Sequence, residues 1–515
     1  MNTESRTQKA AKNFLFSILG NSVNYIITFV SRTIFIYILG ATYLGVSGLF
    51  TNVLGMLSLA ELGVGTAISF SLYKPLATGD KQKIKALIDF YRTAYRFIAL
   101  VVSILGLILI PFLPYIIKGA EDIKNINLIY ILYLTNTVLS YLITYKSTLL
   151  VADQKSYLST NITTITNIVT ALTQIVALLL FKNFIVYLVI QIVIQLAGKV
   201  YTNLYTEKKY PFLKEKGNEK LDKEERHFIF KKIRALMAHK VGDVAINQTD
   251  SIITSSFINV TTVGLVSNFT MIIQVVNSLI NTFFTSAIAG LGNVIATETA
   301  EKKLAVFKKY DFLGFVFFGW STVFLYFMLD PFVTIWIGSD KLVDKYTLLL
   351  LCINYYFTGQ RISLGNIKSA AGVFEQDVWI PFAQAIVNIV VSIFSVQICG
   401  LPGIYIGTLL SSFIPNIGRP IIVYKYIFEK KSFEYFKEYF KRIIILLLIG
   451  LIIFAIDALF NVSNSLILLL LRFLYSLIIP FSVMWIVFHR SPEWQYCKNT
   501  FAAIISKFRR KKWKN

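Results

Sequence analysis

Apolar runs long enough to cross a bilayer recur along this chain, and they constrain its fold more than any other feature. A helix needs about 20 apolar residues to span the hydrocarbon core, and such runs follow one another from residue 14 to residue 488. Only 15% of the residues are charged, against roughly 25% in soluble domains. A water-soluble fold would have to bury more apolar surface than one core can hold. The sequence therefore predicts an all-α protein that crosses a membrane many times.

Fourteen spans are predicted, and the charges of the loops orient them. The predicted spans are 14–39, 44–72, 91–117, 127–150, 156–181, 183–205, 232–257, 262–290, 307–330, 345–371, 378–399, 402–427, 442–460 and 464–488. Lys and Arg gather in alternate loops, including the linker 206–231 and the stretch 430–441, and in the tail 489–515. Connections on the other side are short, such as 400–401, or of mixed charge. The positive-inside rule therefore places both termini in the cytoplasm.

The net charge of +23 is explained by this orientation, and we do not expect nucleic acid as a partner. The basic tail, which includes Arg509, Arg510 and Trp513, is expected to lie against anionic lipid headgroups. An alternative interpretation of the tail is a simple flank of the last span. Membrane lipids are therefore the first predicted partners.

The two halves of the chain repeat one another. Gly45 and Phe50 recur as Gly264 and Phe269 at an offset of 219 residues. Further pairs at offsets of 219 to 222 are Lys83 and Lys302, Tyr91 and Tyr310, and Lys146-Ser147 and Lys368-Ser369. Each repeat holds six spans, an even number, so the two repeats enter the membrane in the same direction. The predicted domains are an N-lobe (1–205), a cytoplasmic linker (206–231), a C-lobe (232–427), two additional spans (428–488) and the basic tail (489–515).

Polar side chains at helical spacing follow one face of several spans and predict a water-filled cavity between the lobes. Hydrogen-bond glue between helices is the alternative for many of them. The candidate cations are Arg32, Lys240, Arg361 and Arg419, and the candidate acids are Glu61, Asp243 and Asp250. The candidate neutral residues are Asn21, Asn24, Thr28, Asn247, Gln274, Asn277, Asn354 and Thr358. Gln191 and Gln195 form a similar stripe on the sixth span.

The charges within the spans indicate an anionic cargo. Each charge at the bilayer centre costs about 2.5–3.5 kcal/mol on insertion scales, so Arg32 and Arg361 need a partner or a ligand. The planar guanidinium suits phosphate, and a salt bridge between Arg32 and Asp250, at matched depth in paired spans, is the equally weighted alternative. Glu61 is either a proton or sodium site or the counter-ion of a cavity arginine, and the second role is slightly favoured. Lys146, Lys199 and Lys368 are expected to snorkel to the interface.

The chain resembles the Wzx-type polysaccharide flippases of the multidrug/oligosaccharidyl-lipid/polysaccharide (MOP) exporter superfamily. The resemblance rests on Ile38-Leu39-Gly40-Ala41-Thr42-Tyr43-Leu44-Gly45, on Glu61-Leu62-Gly63-Val64-Gly65 and on the repeated Lys-Ser element. It implies MATE-like lobes around a central cavity in the bacterial inner membrane. It also implies transport of an undecaprenyl-pyrophosphate-linked oligosaccharide to the outer leaflet for capsule or another surface glycan. Glycosyltransferases and a polysaccharide polymerase would then be partners.

Three other functions share some of these features. A lipid II flippase of the MurJ type would share the lipid-pyrophosphate cargo. A MATE-type cation or drug antiporter would need a more acidic cavity than this one. A membrane glycan polymerase would need a large external loop with catalytic side chains, which the sequence lacks, so we do not expect an enzyme.

No cofactor is expected beyond a coupling ion, H⁺ or Na⁺. The chain contains no phosphate-binding Gly-x-x-x-x-Gly-Lys-(Ser/Thr) loop. Its three cysteines and three histidines are too scattered to predict a metal site.

Overall fold

The chain folds as a series of long helices. The computed structural model describes residues 6–61, 64–121, 123–215, 221–459, 465–496 and 498–499, and in that part of the chain there is no strand. Helices are what the apolar runs require, because lipid offers no partner to backbone N–H and C=O groups. The helices of the first half are α1 (Arg6–Leu57), α2 (Val64–Thr78), α3 (Lys81–Leu109), α4 (Leu113–Ile116), α5 (Ile126–Thr144), α6 (Ser147–Ala152), α7 (Ser156–Phe181), α8 (Phe184–Lys209) and α9 (Lys223–Phe257). Those that follow are α10 (Val260–Ser286), α11 (Ile288–Thr297), α12 (Ala300–Ile337), α13 (Lys345–Gly359), α14 (Ile362–Ala371), α15 (Trp379–Cys399), α16 (Leu401–Tyr426), α17 (Phe433–Leu459) and α18 (Ser465–Phe488).

The chain divides into two compact units, Met1–Leu265 and Val266–Asn515. In the first unit α1 packs on α7 and α9, and α8 packs on α5 and α7. In the second unit the closest helix pair is α15 with α16, and α12 packs against α13, α14, α17 and α18. By its contacts α9 belongs to the first unit. The sequence repeat assigns most of the same helix to the predicted C-lobe (232–427).

The predicted architecture of about fourteen membrane-spanning segments is confirmed, although eleven helices in the described part of the chain are long and apolar enough to qualify by length and composition alone. The other three predicted spans, 2, 7 and 10, do not meet the length and composition required, for separate reasons. Span 2 is interrupted after Leu57, and span 10 is broken between α13 and α14. Span 7 corresponds to α9, which carries many charged and polar residues. Broken and polar helices are common where a transporter binds its substrate.

Several helices begin earlier than the sequence suggested. The basic stretch 430–441 was expected to be a loop, but α17 already begins at Phe433. Likewise α3 begins at Lys81 and α12 at Ala300, each well before the predicted span. A helix can continue past the hydrocarbon core into the charged interface, so hydropathy alone places its start too late.

Within α1, the helical segments that correspond to spans 1 and 2 are separated by Gly40 alone. Gly40 has φ 84° and ψ 175° inside α1, a conformation that a residue with a side chain rarely adopts. One turn later Gly45 packs against the start of α10: a Cβ at Gly45 would lie 1.8 Å from the carbonyl oxygen of Val260. A Cβ at Gly264 would lie 2.0 Å from the carbonyl oxygen of Ala41.

The crossing of α1 and α10 is also linked by side chains. The hydroxyls of Thr42 and Thr261 hydrogen-bond at 3.0 Å. Thr42 and Thr261, like Gly45 and Gly264, are separated by 219 residues, which is the offset of the sequence repeat. The crossing therefore brings equivalent residues of the two repeats together.

An ion pair joins α17 and α18, the two helices beyond the repeat. Arg472 donates from Nε to Asp457 Oδ1 at 2.8 Å and from a terminal nitrogen to Oδ2 at 2.6 Å. Tyr475 donates to the same carboxylate. The charges of Asp457 and Arg472, which lie in apolar stretches of these helices, thus neutralise one another in a bidentate geometry.

Candidate functional site

The predicted polar stripe of span 1 faces a cavity of about 340 Å³ that is lined by residues of the first unit. Asn24, Thr28 and Arg32 line it from α1. Gln191 and Gln195 line it from α8. The structure therefore brings the stripes of spans 1 and 6 to one cavity inside the first unit. A cavity between the two lobes stays a prediction.

Hydrogen bonds order the polar groups on the wall of this cavity, which we call the N-unit cavity. Asn167 Nδ2 donates to Asn24 Oδ1 at 3.4 Å. Gln174 Nε2 donates to Gln191 Oε1 at 3.2 Å and to the Tyr187 carbonyl at 3.1 Å. None of the described residues that line the cavity is acidic. Apart from Arg32, the polar side chains of that described lining are amides and hydroxyls.

Sequence reasoning missed three side chains of the N-unit cavity. Asn167 and Gln174 lie on α7 and Tyr187 lies on α8, and the Tyr187 hydroxyl lies close to Ser31. Asn167 and Gln174 are seven residues apart, so they lie on one face of α7, and that spacing was the available signal. A single polar residue in an apolar helix is otherwise interpreted as one that packs between helices.

Glu61 lies at the interruption of span 2. A 3-10 turn, Ser58–Glu61, follows α1 there, and Tyr95 donates to Glu61 Oε1 at 2.6 Å. Tyr91 donates to the Tyr95 hydroxyl at 2.7 Å, and the Tyr141 hydroxyl lies close to Glu61. The described ion pairs do not include Glu61. Among the described residues the partner of Glu61 is thus a tyrosine hydroxyl, and its roles as an ion site or as the counter-ion of a cavity arginine stay predictions.

Arg361 lies at the break of span 10. It precedes α14, and one terminal nitrogen lies 3.3 Å from the Thr358 hydroxyl. Asn354, deeper in α13, donates to the carbonyl of Tyr405 on α16 at 2.9 Å. Arg361 and Thr358 therefore lie together at a helix break, whereas Asn354 acts as interhelical glue.

Beside that break lies a buried ion pair that sequence reasoning missed. Arg442 of α17 donates to Asp311 of α12, and both residues are less than 10% exposed. Ser363 donates to the other carboxylate oxygen at 2.6 Å, and the Gln360 amide lies 3.4 Å from it. The pair ties α17 to the broken span. Asp311 and Arg442 each lie near the start of a predicted span, and neither was among the candidate residues.

Arg419 and Lys368 share a buried carboxylate. The Lys368 ammonium forms an ion pair with Asp377 Oδ2. Arg419 Nε lies 3.6 Å from the same oxygen. Asp377 is 1% exposed and Lys368 is 6% exposed. The snorkelling expected of Lys368 is therefore wrong, because its ammonium is paired inside the fold. Lys146, its counterpart in the repeat, pairs with Glu207.

The remaining candidates are dispersed or lie outside the description. Gln274 is exposed on α10, and the Asn277 side chain accepts from Asn281 at 2.7 Å. Asp250 is half-buried on α9. The side chains of Asn21, Lys240, Asp243 and Asn247, and the tail with Arg509, Arg510 and Trp513, lie outside the described residues.

An apolar groove of about 350 Å³ runs between α12, α13 and α17 in the second unit. Its walls include Phe327, Leu349, Phe357, Leu447 and Phe454. Almost all of its surface is hydrocarbon or aromatic, so it suits an alkyl or isoprenoid chain.

Comparisons with known proteins agree with this architecture. A family model described as "Polysaccharide biosynthesis protein" matches residues 10–289, more than half of the chain. Comparison with curated protein sequences finds no match.

Solved structures share the fold at low sequence identity. "Lipid II flippase MurJ" in an inward closed conformation has a TM-score of 0.66 at 15% identity, covering 92% of this chain and 99% of that one. An inward-facing multidrug resistance MATE family transporter of the MOP superfamily has a TM-score of 0.59 at 15% identity, covering 78% and 96%. A Vibrio cholerae MATE transporter has a TM-score of 0.55 at 11% identity, covering 83% and 99%.

Proposed function

The chain belongs to the polysaccharide biosynthesis protein family, and from that premise we propose that it flips an undecaprenyl-pyrophosphate-linked oligosaccharide across the bacterial inner membrane. Cargo would enter from the cytoplasmic leaflet and leave to the outer one for capsule or another surface glycan. Both termini would lie in the cytoplasm, beside the glycosyltransferases that build the lipid-linked unit. A polysaccharide polymerase would use the product on the other side.

The N-unit cavity is the observation that carries this proposal. A protein whose purpose was to hold helices together in lipid would not need a 340 Å³ polar cavity with an arginine in its wall. Amides and hydroxyls donate and accept hydrogen bonds, as sugar hydroxyls do. The polar side chains of the cavity can therefore replace the water that hydrates the hydroxyls of a glycan.

The two ends of the proposed cargo differ in chemistry, and the fold offers surfaces for both. The groove between α12, α13 and α17 is apolar along its length and would hold part of the isoprenoid chain. Arg361 at the break of span 10 would approach the pyrophosphate, because a guanidinium pairs with phosphate through two parallel hydrogen bonds.

Lipid II is the other cargo that deserves a direct test, because the MurJ structure matches across almost the whole chain. A cation or drug cargo is less favoured, since the described lining of the N-unit cavity contains a cation and no acid. No step of this proposal makes or breaks a covalent bond in the cargo, so the chain acts as a transporter and not as an enzyme.

We expect Arg32→Ala and Arg361→Ala each to reduce flipping at least tenfold while leaving expression and folding intact, because each removes a cation that would meet the anionic cargo. The assay uses vesicles containing the purified protein and a fluorescent lipid-linked oligosaccharide, whose arrival in the outer leaflet is measured by enzymatic or chemical access. Arg96→Ala, at an exposed position of α3, is the matched control. Normal flipping by both variants would remove these arginines from the transport path, and exclusive flipping of lipid II would replace the proposed cargo.

Glu61 is the proposed coupling site, with H⁺ or Na⁺ as the ion. The Glu61 carboxyl is fixed in place by the hydrogen bond from Tyr95 and has the Tyr141 hydroxyl beside it, so it offers a defined position for the coupling ion. Glu61→Gln keeps the shape and removes the charge. We expect it to abolish the acceleration of flipping by an imposed pH gradient while slow downhill flipping continues.

Two comparisons make the coupling test specific. Tyr95→Phe removes one donor and should reduce the acceleration only partly. A sodium gradient replaces the pH gradient in a parallel series and identifies the ion. If Glu61→Gln responds to both gradients as the unsubstituted protein does, coupling occurs elsewhere.

A further inference from the structure

The N-unit cavity is selective in its chemistry, beyond being polar. Its wall carries the amides of Asn24, Asn167, Gln174, Gln191 and Gln195, and Arg32 is its one charged side chain among the described lining residues. A pyrophosphate carries two or more negative charges, and sites for it gather several cations or a row of backbone N–H groups. The N-unit cavity offers neither.

Some of these polar groups have unused hydrogen-bonding capacity. Gln195 makes no hydrogen bond within the described part of the chain, and Gln191 uses its carbonyl oxygen to accept from Gln174. An amide that loses water without a partner costs about 1–3 kcal/mol in proteins. The site therefore favours a ligand that brings both donors and acceptors to Gln191 and Gln195.

One wall of the cavity is aromatic. Phe35 and Tyr187 both line it, and their ring centroids lie 5.1 Å apart. The C–H face of a pyranose is apolar, while its rim carries hydroxyls. Aromatic rings and amides in one lining match those two aspects of a sugar ring, and a volume of about 340 Å³ is near the lower limit of ligand pockets.

We propose that the N-unit cavity is a subsite for one carboxylated sugar of the glycan, a hexuronate or a sugar of similar charge. The inference rests on the proposed function and deepens it by naming the part of the cargo that binds here. The sugar carboxylate lies on the guanidinium of Arg32, its hydroxyls meet Gln191 and Gln195, and its apolar face lies against Phe35 and Tyr187. The pyrophosphate and the lipid lie outside this cavity.

The test measures binding of soluble sugars to the full-length protein in detergent by saturation-transfer NMR, which detects millimolar affinity. The probes are methyl β-D-glucuronide, methyl β-D-glucoside and inorganic pyrophosphate. We expect the glucuronide to bind about tenfold more tightly than the glucoside, since a charge-assisted bidentate pair is worth roughly that factor. Pyrophosphate should not displace it.

Variants assign the contacts. Arg32→Gln should weaken the glucuronide about tenfold and leave the glucoside unchanged. Gln195→Leu should weaken both sugars alike, because it removes an uncharged contact. Arg96→Gln, at an exposed position, should change neither. Equal binding of the two sugars by the unsubstituted protein, an unchanged glucuronide affinity in Arg32→Gln, or displacement by pyrophosphate would each overturn the proposal.

The subsite and the transport function fail separately. If the protein flips lipid-linked oligosaccharides but does not bind the glucuronide, the function stands and the subsite is lost. If it flips none, the proposed function fails, and selective glucuronide binding that depends on Arg32 would still support a carboxylated-sugar site.

Discussion

Replacing Gly45 with alanine is expected to destabilise the protein by about 2 kcal/mol or more, although alanine favours helices over glycine by up to about 1 kcal/mol. The added Cβ would stand 1.8 Å from the Val260 carbonyl oxygen and 3.1 Å from the Gly264 nitrogen. Both are backbone atoms, so no rotamer change can relieve the overlap and the helices must separate. The measurement is the thermal unfolding midpoint of the purified protein in detergent.

The same helix supplies the control for this substitution. A Cβ at Gly48, one turn further along α1, would meet only the Val263 Cγ1 atom within 4 Å, at an ordinary 3.8 Å. Gly48→Ala should therefore be neutral or slightly stabilising. Gly264→Ala should match Gly45→Ala, because its Cβ would lie 2.0 Å from the Ala41 carbonyl oxygen. Equal midpoints for Gly45→Ala and Gly48→Ala would show that the crossing is not tightly packed.

Replacing Arg442 with methionine should cost about 3–5 kcal/mol of stability, because it leaves the Asp311 carboxylate charged, buried and without its cation. The double variant Asp311→Leu with Arg442→Met removes both charges and should recover most of the loss, since a buried ion pair often contributes little beyond an apolar pair of similar size. Ser363 keeps an acceptor in that variant, because its hydroxyl also lies 3.3 Å from the Gln360 carbonyl.

An exposed ion pair of the same region serves as the reference. Lys308 and Glu434 lie 3.3 Å apart with 43% and 73% of their side chains exposed. Lys308→Met should therefore cost less than about 1 kcal/mol. Thermal unfolding midpoints are compared for the unsubstituted protein, Arg442→Met, the double variant and Lys308→Met. A double variant as unstable as Arg442→Met would mean that the lost packing, and not the stranded charge, sets the cost.

Hydropathy and the sequence repeat predicted the elements that depend on local composition. The spans followed from apolar runs, and the equivalence of Gly45 and Gly264 as repeat positions followed from the offset of 219 residues. The stripe of Asn24, Thr28 and Arg32 was visible as helical spacing. Each of these features depends on neighbours in sequence or on a constant shift along it.

The remaining features depend on which helices touch. Asp311 and Arg442 are 131 residues apart, and nothing in either span names the other as its partner. Tyr95 and Tyr141 are ordinary aromatic residues of apolar helices until Glu61 is placed beside them. Asn167 and Gln174 become cavity residues only because α7 packs against α1 and α8. Tertiary packing therefore supplied the chemistry that periodicity could not.

The threonine and glycine pairs of the α1–α10 crossing have a consequence for how this chain could have arisen. At an isologous interface between two identical subunits, a residue on the twofold axis meets its own counterpart. In a half-length ancestor that associated in this way, one change from glycine would have introduced the same clash twice. A small residue at that position is therefore a condition that two half-chains had to satisfy before they could be fused and diverge.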